Sequence, residues 1–165
     1  MGRRATTFEV FYDANYASVA RSLSLALQDP QLAEEATQEA FIRAYVSWRR
    51  VERMERPAGW VYVVAMRVAF RRRARATTHE LVEATDANLA DTVVARETLR
   101  AAIEALPERQ RTAVVLRYFA DLPLADVAAA MGCALGTVKS TLHAALARLQ
   151  IELDDLEEVQ PDAHR

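Results

Sequence analysis

This 165-residue sequence holds one cysteine, Cys133, one lysine, Lys139, and few helix breakers, with four glycines and five prolines. One cysteine excludes an internal disulfide and fits a reducing compartment. Scarce glycine and proline, with abundant alanine and few β-branched runs, argue against a strand-rich fold and predict an all-α one. Long apolar runs are missing too. A stretch such as "WVYVVAM" stops far short of a membrane span, and the first twenty residues lack the apolar core of a secretion signal. A cytoplasmic protein with no membrane insertion is expected. No His, Cys, Asp and Glu set has metal-ligand spacing, no glycine-rich loop is present to cradle a nucleotide, and His79, His143 and His164 are scattered. Glu35 and Glu39 lie close in sequence but lack company for acid–base chemistry. The sequence therefore predicts no metal, no cofactor and no catalysis.

What is present is arginine, 20 of the 21 basic residues. The formal net charge of −2 conceals a segregation. From Arg43 to Arg75 ten arginines face only Glu52 and Glu55, whereas from Gln150 to Arg165 six acids face one arginine. A basic island suits a polyanion, and equally suits a solvated arginine-rich face.

Apolar periodicity predicts helices over 8–27, 32–48 and from the Pro57 region to 75, with breaks at "QDPQ" and "RRVERMERPAG". The polar, acidic stretch "ATTHELVEATDANLADTVV" reads as a linker. Beyond it, helices are expected over 95–106, 107–118, 124–131 and 137–153. The organisation is thus two helical modules, 1–75 and 95–153, a linker over 76–94, and an acidic tail over 154–165 that frays.

The second module ends in "LADVAAAMGCALGTVKSTLHAALARL". An alanine-rich helix stopped by Gly132, a short turn containing Cys133 and a second helix form the helix-turn-helix pattern. On a helical wheel Val138, Leu142, Ala145, Leu146 and Leu149 make the buried stripe. Thr137, Ser140, His143, Ala144 and Ala147 face outward, with Lys139 at the margin. Short side chains and donors near a helix N-terminus suit entry into a DNA major groove, and give the lone lysine a phosphate to contact.

In the first module, "LAEEATQEAFIRAYVSW" places Thr37, Phe41, Ala44 and Trp48 on one side. Glu35, Gln38, Glu39 and Ile42 gather nearly opposite; the acids alone read as solvent-facing, but an isoleucine ringed by polar groups suits the centre of a protein contact. On "PAGWVYVVAMRVAFRRRAR", Trp60, Arg67 and Arg71 project within about 40° of each other. An aromatic beside two guanidiniums suits a separated nucleic-acid strand, or is a tryptophan packed under arginine stems.

Together "LPERQR", "LRYF", "DVAAAMG" and "GTVKS" resemble the −35-reading domain of bacterial sigma factors of the extracytoplasmic-function (ECF) type, and the Leu32–Trp48 stretch is similar to that family's polymerase-binding helix. The resemblance spans Phe8 to about Leu149. It implies that Thr137, Lys139, Ser140 and His143 read the −35 element. It implies further that Arg49, Arg50, Arg53, Arg56, Trp60, Arg67 and Arg71 engage and melt the −10 element. Glu35, Gln38, Glu39 and Ile42 would pack on the clamp helices of the largest subunit of core RNA polymerase. An anti-sigma factor is a further implied partner. By the same resemblance the linker threads the polymerase cleft, with Glu80, Glu83, Asp86 and Asp91 as its acids. The sequence departs from the family pattern at Tyr45, where tryptophan is usual, and at Thr141 and Ala144, where many members carry arginine. A stand-alone helix-turn-helix regulator and a sigma-mimicking interaction adaptor are the alternative readings.

Overall fold

A computed structural model of the chain describes residues 7–76 and 94–159, with side chains for all but 94–96 and 152–159. The linker acids and the acidic tail named above lie outside the residues or side chains described. Among the described residues every regular element is helical: α1 (Phe8–Leu27), α2 (Pro30–Val46), α3 (Trp48–Val51), α4 (Pro57–Ala76), α5 (Val94–Glu104), α6 (Glu108–Val114), a π-helical turn (Val115–Phe119), α7 (Leu124–Met131) and α8 (Leu135–Val159).

Local chemistry sets the boundaries. Gln28 ends α1 in the left-handed conformation at φ 51°, and the Asp29 carboxylate accepts the Leu32 N–H at 2.9 Å to start α2, with Pro30 at its first position. Thr37, Phe41 and Ala44 are buried as the periodicity predicts. Trp48 falls beyond α2, half-buried in α3. It joins Phe8 and Phe11 in an aromatic cluster that also takes in Tyr12, Tyr16, Phe41 and Tyr45, with ring centroids 4.7–6.0 Å apart. Such pairs add about 0.5–1.5 kcal/mol each beyond the area they bury, and here they fix α1 against α2.

Two expectations are corrected. Instead of one helix over 107–118, α6 gives way to a π turn: Ala120 N–H reaches Val115 O, and Leu122 N–H reaches Leu116 O, both at 3.0 Å. The wider turn leaves Tyr118 and Phe119 exposed while Leu122 is buried. The last helix also runs on to Val159 rather than ending near 153.

The two modules pack on each other. α4 lies along α7, and α1 meets α6 and the π turn, so that one hydrophobic core runs through both. Close approach depends on Gly59, where an added Cβ would stand 3.2 Å from Asp126 Oδ2 and 3.6 Å from Leu122 Cδ2. Small residues on the facing helix, Ala128 and Ala130, are buried as well.

Candidate nucleic-acid interface

The helix-turn-helix forms as the sequence suggests. Gly132 caps α7 at φ 62°, its N–H bonding to Ala128 O, and α8 begins two residues before the expected start. Val138, Leu142, Ala145 and Leu149 are buried, but Leu146 is 45% exposed and leaves the stripe. It is the outermost of the five on the wheel, where no other helix covers it. Thr137, Lys139, Ser140 and His143 are all exposed in the first turns of α8. The Ser140 hydroxyl donates to Thr137 O at 3.0 Å, and Lys139 makes no ion pair among the described residues. The face is open, and its one cation is uncommitted.

On α2 the four predicted residues do share a surface, but three of them already have partners. Arg72 of α4 donates to Glu35 at 2.6 Å and to Glu39 at 2.9 Å, and Arg43 also pairs with Glu39. Gln38 donates to Glu34 at 3.1 Å. Ile42 is 63% exposed, with Tyr45 and Val46 exposed beside it, so the apolar part of the surface is larger than the single isoleucine foreseen.

The hydrogen bond from Arg72, ahead of the charges of Arg43 and Arg72, holds the Glu39 carboxyl below its ordinary range. A depressed folded-state pKa contributes stability that is present above the unfolded value and lost as pH falls through the folded one. The α2–α4 contribution is therefore expected to be complete at neutral pH and to fade below about pH 4–5. Because the pair is partly exposed the effect is modest. Melting temperatures measured from pH 7 to pH 3 should fall less steeply for Glu39→Gln than for the parent; identical slopes would show that the bridge adds nothing.

The basic strip of α4 is placed differently from the expectation. Trp60 is half-buried and packs against the core. Arg67 Nε donates to Ala129 O of α7 at 3.2 Å, and Arg71 Nε donates to Arg67 O at 3.5 Å. Arg56 donates to Asp121 O at 2.6 Å and lies 4.0 Å from the Asp126 carboxylate. Of these residues Arg67 and Arg71 line a crevice of about 840 Å³ between the modules, together with Arg109 and Met131. Arg49, Arg50 and Arg53 remain exposed on α3 and the loop after it, with no ion pair among the described residues.

Sequence reasoning missed the arginines that hold the modules together. Arg111 is buried at 6% exposure and donates to Ala26 O of α1 at 3.0 Å, to Leu106 O at 2.8 Å and to Glu104 O at 3.2 Å. Burial lowers its pKa from the ordinary guanidinium value. Arg73 donates to Leu27 O at 3.0 Å and pairs with Glu108, while Gln28 donates to Glu104 O at 2.8 Å. Of the last carbonyls of α1, which a helix leaves without partners, Ala26 O is thereby satisfied from the other module and Leu27 O from α4.

Residues 11–78 match the family model for sigma-70 region 2, and residues 96–149 match that for sigma-70 region 4. The chain belongs to the sigma-70 family. Among its relatives is the RNA polymerase sigma-E factor of Streptomyces coelicolor, 30% identical over 151 residues that cover 88% of this chain and 85% of the relative. The ECF RNA polymerase sigma factor SigW of Bacillus subtilis is 29% identical over 143 residues, covering 75% and 76%. The fold is shared with the sigma factor RpoE of Bartonella quintana, solved in complex with the anti-sigma factor NepR, at a TM-score of 0.70 and 21% identity over 89% of this chain and 96% of that one. The chain is an ECF-type sigma factor in which α1–α4 form region 2 and α5–α8 form region 4. Among the described residues no helix is long and apolar enough to cross a membrane, and no three potential metal ligands stand together.

Proposed function

We propose that this ECF-type sigma factor programmes core RNA polymerase by dividing the promoter between its two regions. Region 4 docks on the −35 duplex through Thr137, Lys139, Ser140 and His143. Region 2 holds the melted −10 strand with Arg49, Arg50, Arg53, Arg56, Trp60, Arg67 and Arg71. Core polymerase binds region 2 at Ile42, with Glu35, Gln38 and Glu39 around it, through the clamp helices of its largest subunit. The chain does no chemistry of its own, takes no cofactor and acts in the cytoplasm.

The observation that carries this reading is the open outer face of α8. Four hydrogen-bonding side chains stand exposed in its first turns, and its buried stripe anchors it to α6 and α7. Region 2 supplies an apolar patch for a protein partner at Ile42, Tyr45 and Val46 and exposed arginines for nucleic acid at Arg49, Arg50 and Arg53.

The packing of the two regions adds a step. Arg56 and Arg67 are hydrogen-bonded to backbone carbonyls of region 4. For both to reach a separated strand, α7 has to leave α4, and binding of the large enzyme between the regions is the event that parts them. An anti-sigma factor is the partner that would hold them together, as the Bartonella quintana protein was solved with one.

The test acts on the lysine. Because Lys139 contacts a phosphate in this reading, Lys139→Ala is expected to weaken holoenzyme binding about equally across promoters. The slope of log affinity against log salt should drop by about one. A loss confined to one promoter sequence would make Lys139 a base reader, and no loss at all would remove α8 from the interface.

A further inference from the structure

The crevice between the two regions is lined by arginine from both sides. Arg67, Arg71 and Arg73 come from α4 and Arg109 from α6, against one carboxylate, Glu108, which Arg73 already pairs. A cleft walled by one sign of charge focuses its potential on whatever enters it. The volume of about 840 Å³ lies in the range of small-molecule sites, which favour the seams between domains.

Three of these guanidiniums keep donors to spare. Arg67 gives its Nε to Ala129 O at 3.2 Å and Arg71 gives its Nε to Arg67 O at 3.5 Å, which leaves the terminal nitrogens of both without an acceptor among the described residues. Arg109 is exposed and makes no ion pair or side-chain hydrogen bond among the described residues. Apolar groups line the same crevice, the half-buried Phe70 of α4 and the buried Met131 of α7. Thr112 of α6, a further lining residue, is fully buried, and its hydroxyl has no hydrogen-bond partner. Buried hydroxyls are nearly always partnered, so this unmet group points to an occupant independently of the charge.

We propose that the crevice is a binding site for a small phosphorylated organic anion of the nucleoside polyphosphate kind, and that its occupant holds regions 2 and 4 together. A guanidinium fork matches phosphate oxygens two at a time, so Arg67, Arg71 and Arg109 call for a ligand with several phosphates. Phe70 and Met131 supply a surface for a flat, largely apolar group beside them. Because α4 belongs to region 2 and α6 and α7 to region 4, the full set of contacts exists only while the regions are packed. A ligand that binds the packed arrangement and not the separated one shifts the equilibrium toward packing. The site stands apart from the promoter contacts proposed above and does not depend on them.

The test uses the full-length chain alone, titrated by isothermal calorimetry at low salt with ATP and, separately, with sodium tripolyphosphate. Saturable one-to-one binding of ATP is expected, with weaker binding of tripolyphosphate, which lacks the flat group. Arg71→Gln and Arg109→Gln, one from each region, should each weaken ATP binding about tenfold, the loss of one charged hydrogen-bonding group. Both side chains are exposed, so the two variants should fold and melt like the parent without ligand. At a hundredfold excess over Kd, ATP should raise the melting temperature of the parent by roughly 5–10 °C. It should also narrow the spread of distances between labels on α2 and α8. Arg49→Gln, outside the crevice, should bind ATP like the parent; an equal loss there would put the anion on the basic island at large and overturn the site. Arg71→Gln losing binding while Arg109→Gln keeps it would confine the ligand to region 2 and refute the bridge. Equal affinities for ATP and tripolyphosphate would overturn the ligand class, and no saturable binding of either would overturn the proposal as a whole.

Discussion

Replacing Arg111 with methionine is expected to lower the melting temperature by about 10 °C and to loosen region 4 from region 2. The side chain is buried and donates to three backbone carbonyls, one of them at the C-terminal end of α1, 85 residues away in sequence. Methionine fills similar space but donates nothing, so Ala26 O, Glu104 O and Leu106 O lose this donor inside the inter-region contact. Leaving a buried acceptor unsatisfied costs about 1–3 kcal/mol. Some of these carbonyls regain water once the regions separate, which makes a total of about 3 kcal/mol reasonable, and a domain pair of this size loses roughly 2–4 °C per kcal/mol. Circular dichroism melting checks the magnitude, and distance measurements between labels on α2 and α8 check the loosening. Arg100 is the control: it is exposed and pairs with Glu104 one helical turn away, an arrangement worth at most about 0.5 kcal/mol, so Arg100→Ala should melt like the parent. An Arg111 variant that melts with the parent would mean the contact is not held by this residue.

Substituting Ile42 with glutamate is expected to weaken association with core polymerase by about thirtyfold or more. Ile42 is 63% exposed and adjoins Tyr45, equally exposed, and Val46 at 79%, an apolar surface with no covering element in the described chain. Residues at the centre of a protein interface typically cost 2 kcal/mol or more when disrupted, and each 1.4 kcal/mol is tenfold in affinity. Here the change also places a carboxylate beside Glu39, adding charge where water is to be excluded. Glu35 and Glu39 should matter less, because both are already satisfied by Arg72. Fluorescence anisotropy of a labelled chain titrated with core polymerase reads the effect. Parental affinity for Ile42→Glu with reduced affinity for Glu35→Gln would reverse the assignment and make the acids the anchors.

The helices and the buried faces were legible because both follow from period and punctuation. Gly132 past α7, Pro57 at a helix start, and the Val138, Leu142, Ala145, Leu149 stripe all sit where local rules put them, whereas α2 starts at Pro30, two residues before the expected Leu32. Leu146 failed because a wheel shows direction and not what lies in that direction. The π turn failed because the chain widens there, with Ala120 N–H reaching back five residues to Val115 O and Leu122 buried beyond it, which the helical period of Leu116 to Phe119 does not suggest.

The inter-region contact was illegible for a different reason. Arg67 and Arg56 look like any exposed basic residue until Ala129 O and Asp121 O, more than sixty residues later, are brought to them. Arg111 left one clue, since it precedes Val114 and Val115 by three and four residues and so shares their buried face. That clue identifies a buried guanidinium and not the carbonyls it seeks.

Run-off transcription with purified core polymerase on a genomic fragment library tests the account most directly. Transcripts with defined start sites that appear only when this chain is added are the predicted result. A chain that shifts duplex fragments by itself, yet leaves core polymerase without specific starts, would contradict it.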